Sequence, residues 1–274
     1  MYSGTMIATV TTREMMMQGI PDRNVRATMC IGTSTDIVRI RRNKASAILS
    51  SISLNLSPVS DDRMKKVTME AVIIPSVIWN TMDYDSTSFY DRDPEGYSGK
   101  TFTADVSDLR YRFTSLLPGG ASVLDLGCGS GRDSLAFHEM GFRVTSIDGS
   151  EGMCRIAREN TGLDVRHLFF RDLDYIDRFD GVWACSTLLH VPSDELPAVL
   201  SLIHRSLHAD GVFYMSFKDG DFEGERDGRY YTDMSVDDIP SLASSNGFDV
   251  IDVWNSVEPD RDILWTNALL RRKG

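Results

Sequence analysis

The run Val123-Leu124-Asp125-Leu126-Gly127-Cys128-Gly129-Ser130-Gly131 restricts the fold of this chain more than any other part of it. An apolar strand ends on a carboxylate and enters a three-glycine turn. A helical pattern follows at once over 131–140, with Leu135, Ala136 and Met140 on one side. Glycine lets the backbone turn sharply and approach a ligand with no Cβ in the way. Strand, turn and helix together read as a nucleotide-binding element.

The spacing narrows the ligand. A dinucleotide fingerprint is G-x-G-x-x-G/A, which would put its third small residue where Arg132 stands. Here the glycines fall as G-x-G-x-G behind Asp125, a carboxylate that repels a pyrophosphate but suits a ligand carrying an ammonium and a sulfonium. The second strand pattern, 143–147, ends in Asp148, 19 residues after Gly129. A carboxylate at that place can accept hydrogen bonds from two ribose hydroxyls. These residues resemble motif I and the following strand of the class I S-adenosylmethionine-dependent methyltransferases. The resemblance implies S-adenosylmethionine as cofactor.

Residues 87–274 read as one α/β unit. Strand patterns lie at 122–126, 143–147, 164–170, 181–185, 211–217, 248–254 and 263–270, and helical patterns at 131–140, 150–160 and 193–207 separate several of them. Alternation of this kind predicts a parallel sheet with helices on both faces. Pro118-Gly119-Gly120, Asp210-Gly211 and Asn246-Gly247 supply turns at the boundaries. The last two strands have no helix between them, so they are expected to pair antiparallel. The fold class is therefore α/β, a seven-stranded, mostly parallel, Rossmann-like methyltransferase sheet, preceded by a small helical N-terminal region.

That region has a different composition. Residues 1–80 hold 10 Lys+Arg against 6 Asp+Glu, while 81–274 hold 19 against 34. An acidic domain is a poor surface for a nucleic acid backbone, which rewards clustered positive charge; the basic segment is not. Val25, Met29 and Ile31, then Ile37 and Ile40, are spaced as two short amphipathic helices, with Arg39, Arg41, Arg42 and Lys44 near the end of the second. Residues 19–43 resemble the helix-turn-helix of resolvase-like DNA-binding domains, which implies DNA as a partner through the N-terminal helices. A solvated helical pair packing on the main domain is the other reading. The expected division is 1–44 as a candidate helix-turn-helix, 45–86 as a linker or helical segment, and 87–274 as the methyltransferase domain. The apolar run 73–79 is expected to be buried.

No stretch of 18 apolar residues exists, and Cys30, Cys128, Cys154 and Cys185 form no C-x-x-C pair. These features predict a cytoplasmic chain with reduced thiols, no membrane partner and no structural zinc. His138, His167, His204 and His208 have no metal-ligand spacing, so no metal is expected.

From Ser88 onward the resemblance narrows to small-molecule methyltransferases similar to the tellurite-resistance type. It rests on Phe89-Tyr90-Asp91 with Tyr97 and Thr101, on 126–134, on Phe170-Arg171-Asp172-Leu173, on 183–192 and on Ser216-Phe217-Lys218. It implies that Gly127, Cys128, Gly129 and Gly131 line the methionine part of the cofactor and that Asp125 orients its amino group. Asp148 would hold the ribose, with Gly149 and Met153 beside the adenine. Asp172 would accept from the adenine amino group, Leu173 would pack on the ring, and Cys185 would also contact the cofactor. Asp172 as a turn cap and Met153 as core packing are the structural alternatives.

Methyl transfer needs alignment of the nucleophile and exclusion of water more than covalent help. A general base matters only for an acceptor that arrives protonated. His190, past the fourth strand at its C-terminal edge, is the candidate base, with bracing of the loop into Pro192 as its alternative role. Tyr90 and Tyr97 are candidate lid residues, and Arg229, Tyr230 and Tyr231 are candidates for substrate selection. The expected reaction is methyl transfer to a small molecule. A DNA-binding regulator that senses S-adenosylmethionine or a metabolite is the alternative. Nucleic acid methylation ranks third, because Ala184-Cys185-Ser186-Thr187 stands where an Asn/Asp-Pro-Pro-aromatic motif would hold a flipped base.

Overall fold

The computed structural model describes residues 86–258 and 262–274 in full and, before them, the backbone of the strand segments 7–8, 26–30, 37–41 and 52–53. The chain divides into two units, Met1–Thr81 and Met82–Gly274.

In the first unit, Arg26–Cys30 and Ile37–Arg41 pair antiparallel, with Arg26 opposite Arg41 and Cys30 opposite Ile37. This corrects the two-helix expectation for 19–43. The sequence Ile-Val-Arg-Ile-Arg alternates with period two and is rich in β-branched residues, which favour a strand. Strands therefore stand at 26–30 and 37–41 where the two helices were expected, which removes the helical support for DNA binding at those residues. The expected cap positions Thr33 and Ser34, and the run 73–79, lie outside the described residues.

The second unit begins with three helices, α1 (Thr87–Arg92), α2 (Pro94–Thr101) and α3 (Ser107–Thr114). Asp93 caps α2 by accepting from the Gly96 amide at 3.0 Å, and Pro94 sits at its first turn, where a missing N–H costs nothing. Strands β1 (Ser122–Leu126), β2 (Arg143–Asp148), β3 (Val165–His167) and β4 (Phe179–Ala184) alternate with α4 (Arg132–Glu139) and α5 (Glu151–Thr161). Then come α6 (Leu196–Ser206), β5 (Leu207–Lys218), the hairpin β6 (Glu223–Arg226) and β7 (Arg229–Thr232), α7 (Ile239–Ser245), β8 (Phe248–Glu258) and β9 (Ile263–Arg272).

The main sheet has seven strands in the order β8-β9-β5-β4-β1-β2-β3. β1 to β5 run parallel, and β9 inserts antiparallel to both β5 and β8. The order reverses beside β1, and ligands of open α/β sheets bind at the C-terminal strand ends at such a reversal. The core beneath that edge is aromatic. Trp183 stacks on Tyr214 with ring centroids 4.0 Å apart, and Phe113 and Phe137 tilt against the same indole. All four are fully buried.

Two elements differ from expectation. The third strand is only Val165–His167, and Phe170–Asp172 form a 3-10 turn instead of its end. The segment after β5, expected to be a loop, is the hairpin β6–β7. Asp227 and Gly228 both have positive φ (54° and 75°), the two-residue turn whose twist matches paired strands. Among the described residues, no helix is long and apolar enough to cross a membrane.

Candidate active site

The glycine turn sits at the C-terminal end of β1. Gly127, Gly129 and Gly131 all have positive φ (73°, 54° and 86°), a conformation that costs an L side chain strain. A Cβ on Gly127 would overlap the Thr187 hydroxyl, and one on Gly131 would lie 2.6 Å from Thr161 Cγ2. At Gly129 a Cβ would meet nothing within 4 Å, so that side of the turn is open. Gly127→Ala is therefore expected to cost about 1–3 kcal/mol through backbone strain and the Thr187 clash. Thermal unfolding reads this, and an unchanged Tm would show that the turn relaxes freely.

Two carboxylates flank the turn, Asp125 buried and Asp148 half-buried. Asp148, ending β2, accepts from the Gly129 amide and from the Ser150 amide, each at 2.8 Å. Burial pushes its carboxyl up, and the two amides partly pull it back. Asp125, inside β1, accepts from the Ser134 hydroxyl at 2.6 Å, and Ser134 in turn meets Ser146 at 2.7 Å. Burial, then the Asp133 charge, pushes Asp125 up to about 7. A carboxylate so placed lacks a cation, which an ammonium-bearing ligand would supply.

Asp133, on the first turn of α4, has cations in full. Arg110 Nη1 donates to it at 2.7 Å, Arg132 Nη2 at 2.7 Å, and the Trp183 indole at 2.9 Å. Burial alone would raise its pKa, but the Arg132 charge, with these hydrogen bonds, brings it below the ordinary carboxylate value. The cluster joins α3, α4 and β4 beside the turn and carries one more positive than negative charge. The sequence reading missed it, because Arg110 and Trp183 stand 23 and 50 residues from Asp133.

The residues expected at the cofactor's other contacts divide. Cys128 is buried in the turn, and Cys185 Sγ lies 3.9 Å from Arg132 Nη2. Gly149 is crowded by Thr87 and Phe169, whose atoms would lie 3.0 and 3.3 Å from an added Cβ. Met153 and Leu173 are enclosed in the core, whereas Asp172 is exposed on the 3-10 turn with Arg171 at 3.9 Å. Asp91 of α1 ties the N-terminal helices to this region. It accepts from Ser150 Oγ at 2.5 Å and from the Gly152 amide at 2.9 Å, while Ser150 caps α5 through the Met153 amide.

Tyr90 and Tyr97 meet edge to face, centroids 4.8 Å apart. Tyr90 Oη lies 2.7 Å from His190 Nε2, and His190 Nδ1 lies 2.7 Å from the Tyr230 carbonyl. A carbonyl only accepts, so Nδ1 carries the proton and Nε2 accepts from the Tyr90 hydroxyl. Burial pushes the His190 pKa down to about 4, and it holds the Tyr90 hydroxyl well above its ordinary value. Both groups are neutral near pH 7. The hairpin closes on α1 as well, since the Tyr230 amide donates to Ser86 Oγ at 3.1 Å.

A family model described as a methyltransferase domain matches residues 123–211. The chain carries a methyltransferase domain. It is similar to an uncharacterised methyltransferase of Staphylococcus carnosus, 33% identical over 104 residues (38% of this chain and 49% of that one). It is also similar to a ubiquinone biosynthesis O-methyltransferase of Xanthomonas axonopodis, 35% identical over 115 residues (39% of this chain and 47% of that one). The chain thus spans about half the length of these curated relatives. Among solved structures, the Burkholderia thailandensis 1,6-didemethyltoxoflavin-N1-methyltransferase, with bound 1,6-didemethyltoxoflavin and S-adenosylhomocysteine, matches with a TM-score of 0.58. It is 24% identical and covers 69% of this chain and 87% of its own. At that identity the methyltransferase domain shares its fold with that enzyme, and function has to be argued from the site.

Proposed function

We propose that this methyltransferase domain binds S-adenosylmethionine and transfers its methyl group to a small-molecule acceptor. One observation carries the reading. A glycine turn open at Gly129 lies between two carboxylates, and the buried one, Asp125, forms no ion pair among the described residues. The cofactor supplies a methyl group on a sulfonium, already an activated leaving group. The chain's residues do the rest.

Asp125 takes the amino group of the cofactor, and the surplus positive charge of Arg110, Arg132 and Asp133 stands beside the turn for its carboxylate. Gly127, Cys128, Gly129 and Gly131 let the backbone approach, and Asp148 takes the ribose hydroxyls. Gly149 and Asp172 border the adenine end, with Met153 and Leu173 supporting from the core and Cys185 near the sulfur. The short α1 and α2 helices, latched by Asp91, cover the cofactor and shed water from the reacting atoms. Tyr90 faces the acceptor, and His190 behind it fixes the direction of its O–H. His190 is thus a positioning residue in this arrangement, since both ring nitrogens already have partners. The segments around Tyr90, Asp172, His190 and Lys218 support grouping the chain with the tellurite-resistance type. The unpaired cysteines Cys128, Cys154 and Cys185 suit a reducing cytoplasm.

Asp125 provides a direct test. An acid whose pKa is raised on folding stabilises the fold fully below its unfolded value and loses that contribution as pH rises through the folded value. The apo domain is therefore expected to lose stability between about pH 4 and 7. An ammonium partner reverses the effect and drives the proton off. S-adenosylhomocysteine binding near pH 6.5 is expected to release a proton, read as a dependence of the calorimetric heat on buffer ionisation enthalpy. A heat independent of buffer would remove Asp125 from the amino-group site.

A further inference from the structure

Resting on the methyl-transfer reading, we propose that the acceptor is a flat organic acid whose carboxylate is held by Arg229 and Lys218. Both cations lie against the Tyr231 ring. Lys218 ends β5 at the C-terminal sheet edge, and its Nζ lies 4.3 Å from the centroid of the Tyr231 ring. Arg229 opens β7, with its guanidinium 4.3 Å from the Phe89 centroid, 5.2 Å from that of Tyr231 and 5.9 Å from that of Tyr90.

Their charge is not cancelled within the protein. Among the described residues, neither Arg229 nor Lys218 forms an ion pair, whereas their neighbour Arg226 gives Nη2 to both oxygens of Asp233 at 2.9 Å. The Arg229 Nε–H is buried and has no hydrogen-bond partner. Aromatic faces attract a cation but leave its charge in place, and a half-buried charge without a counter-ion is unfavourable. Arg226 and Arg229 with Lys218 outnumber Asp233 and the exposed Asp227 in a domain whose wider surface is strongly acidic. An anionic ligand completes this set, and the surrounding acidic surface discourages weakly held anions elsewhere.

The rings give the ligand its shape. Phe89, Tyr90 and Tyr97 meet edge to face beside the Arg229 guanidinium, and groups of this kind pack well against a planar ring.

The alternative is structural: Arg229 and Lys218 merely staple the hairpin to α1 through their aromatic contacts. A pair of probes of equal shape separates the two. The full chain is saturated with S-adenosylhomocysteine, and binding of 2-naphthoate and 2-naphthamide is measured by ligand-observed NMR for wild type, Arg229→Gln and Lys218→Met. Naphthoate is expected to bind wild type at least about tenfold more tightly than the amide, because charge-assisted hydrogen bonds reach only the acid. In both variants that preference falls toward unity while S-adenosylhomocysteine affinity is kept. A merely structural role would weaken both probes together and leave the preference intact. Equal binding of acid and amide to wild type, or binding of neither, overturns the proposal. So does displacement of naphthoate by inorganic phosphate at matched concentration, which would assign the cations to a free oxyanion. Failure of S-adenosylhomocysteine to bind is a separate result and sinks the methyl-transfer reading beneath it.

Discussion

Asp148→Ala is expected to weaken S-adenosylhomocysteine binding by about a hundredfold or more. The carboxylate makes two charge-assisted hydrogen bonds, one to the Gly129 amide and one to the Ser150 amide, and these hold the glycine turn in place. Such bonds are worth about 1.5–3 kcal/mol each, and their loss leaves the Gly129 and Ser150 amides unpaired. In the proposed arrangement the ribose hydroxyls lose their acceptor in the same step. Asp148→Asn keeps one accepting oxygen and falls between the two. Calorimetric titration checks the series. A loss of less than about threefold for the alanine variant would take Asp148 out of the cofactor site.

Asp133→Ala is expected to be the most destabilising single change at the site. It strands Arg110 and Arg132, both largely buried, and leaves the Trp183 indole without an acceptor. Breaking a buried pair from one side costs about 3–5 kcal/mol, because the remaining charge is uncompensated. In a domain of this size that lowers Tm by on the order of 10 °C. Glu95→Ala is the control. It breaks the exposed bridge to Arg155, and exposed ion pairs are screened by water and salt, so little change in Tm is expected. Equal shifts for the two variants would mean that the Asp133 cluster is no more than a surface ion pair.

The parts of the fold that were legible in the sequence are those held by local chemistry. The glycine turn and its flanking carboxylates announce themselves because only glycine tolerates three positive φ values within five residues. The antiparallel final pair follows from a connection of a few residues between 254 and 263, too short for a crossover helix. The Asp133 cluster could not be read this way. Its charge balance depends on α3, α4 and β4 meeting in space, and no local pattern records that. The β6–β7 hairpin was legible but overlooked: Asp227-Gly228 between Arg226 and Arg229 is a two-residue turn signal. At 26–30 and 37–41 apolar spacing suggested helices, but β-branched alternation suits the strands that form there. His190 was placed correctly at the sheet edge, while its engagement by Tyr90 and the Tyr230 carbonyl depends on the missed hairpin.

The most direct test of the account is titration of the purified chain with S-adenosylhomocysteine, with NADH as the comparison. The glycine turn, Asp125 and Asp148 predict saturable one-site binding of the adenosyl ligand and no binding of the dinucleotide, whose pyrophosphate meets Asp125. Absence of S-adenosylhomocysteine binding, or binding of NADH in its place, would contradict the assignment of this site.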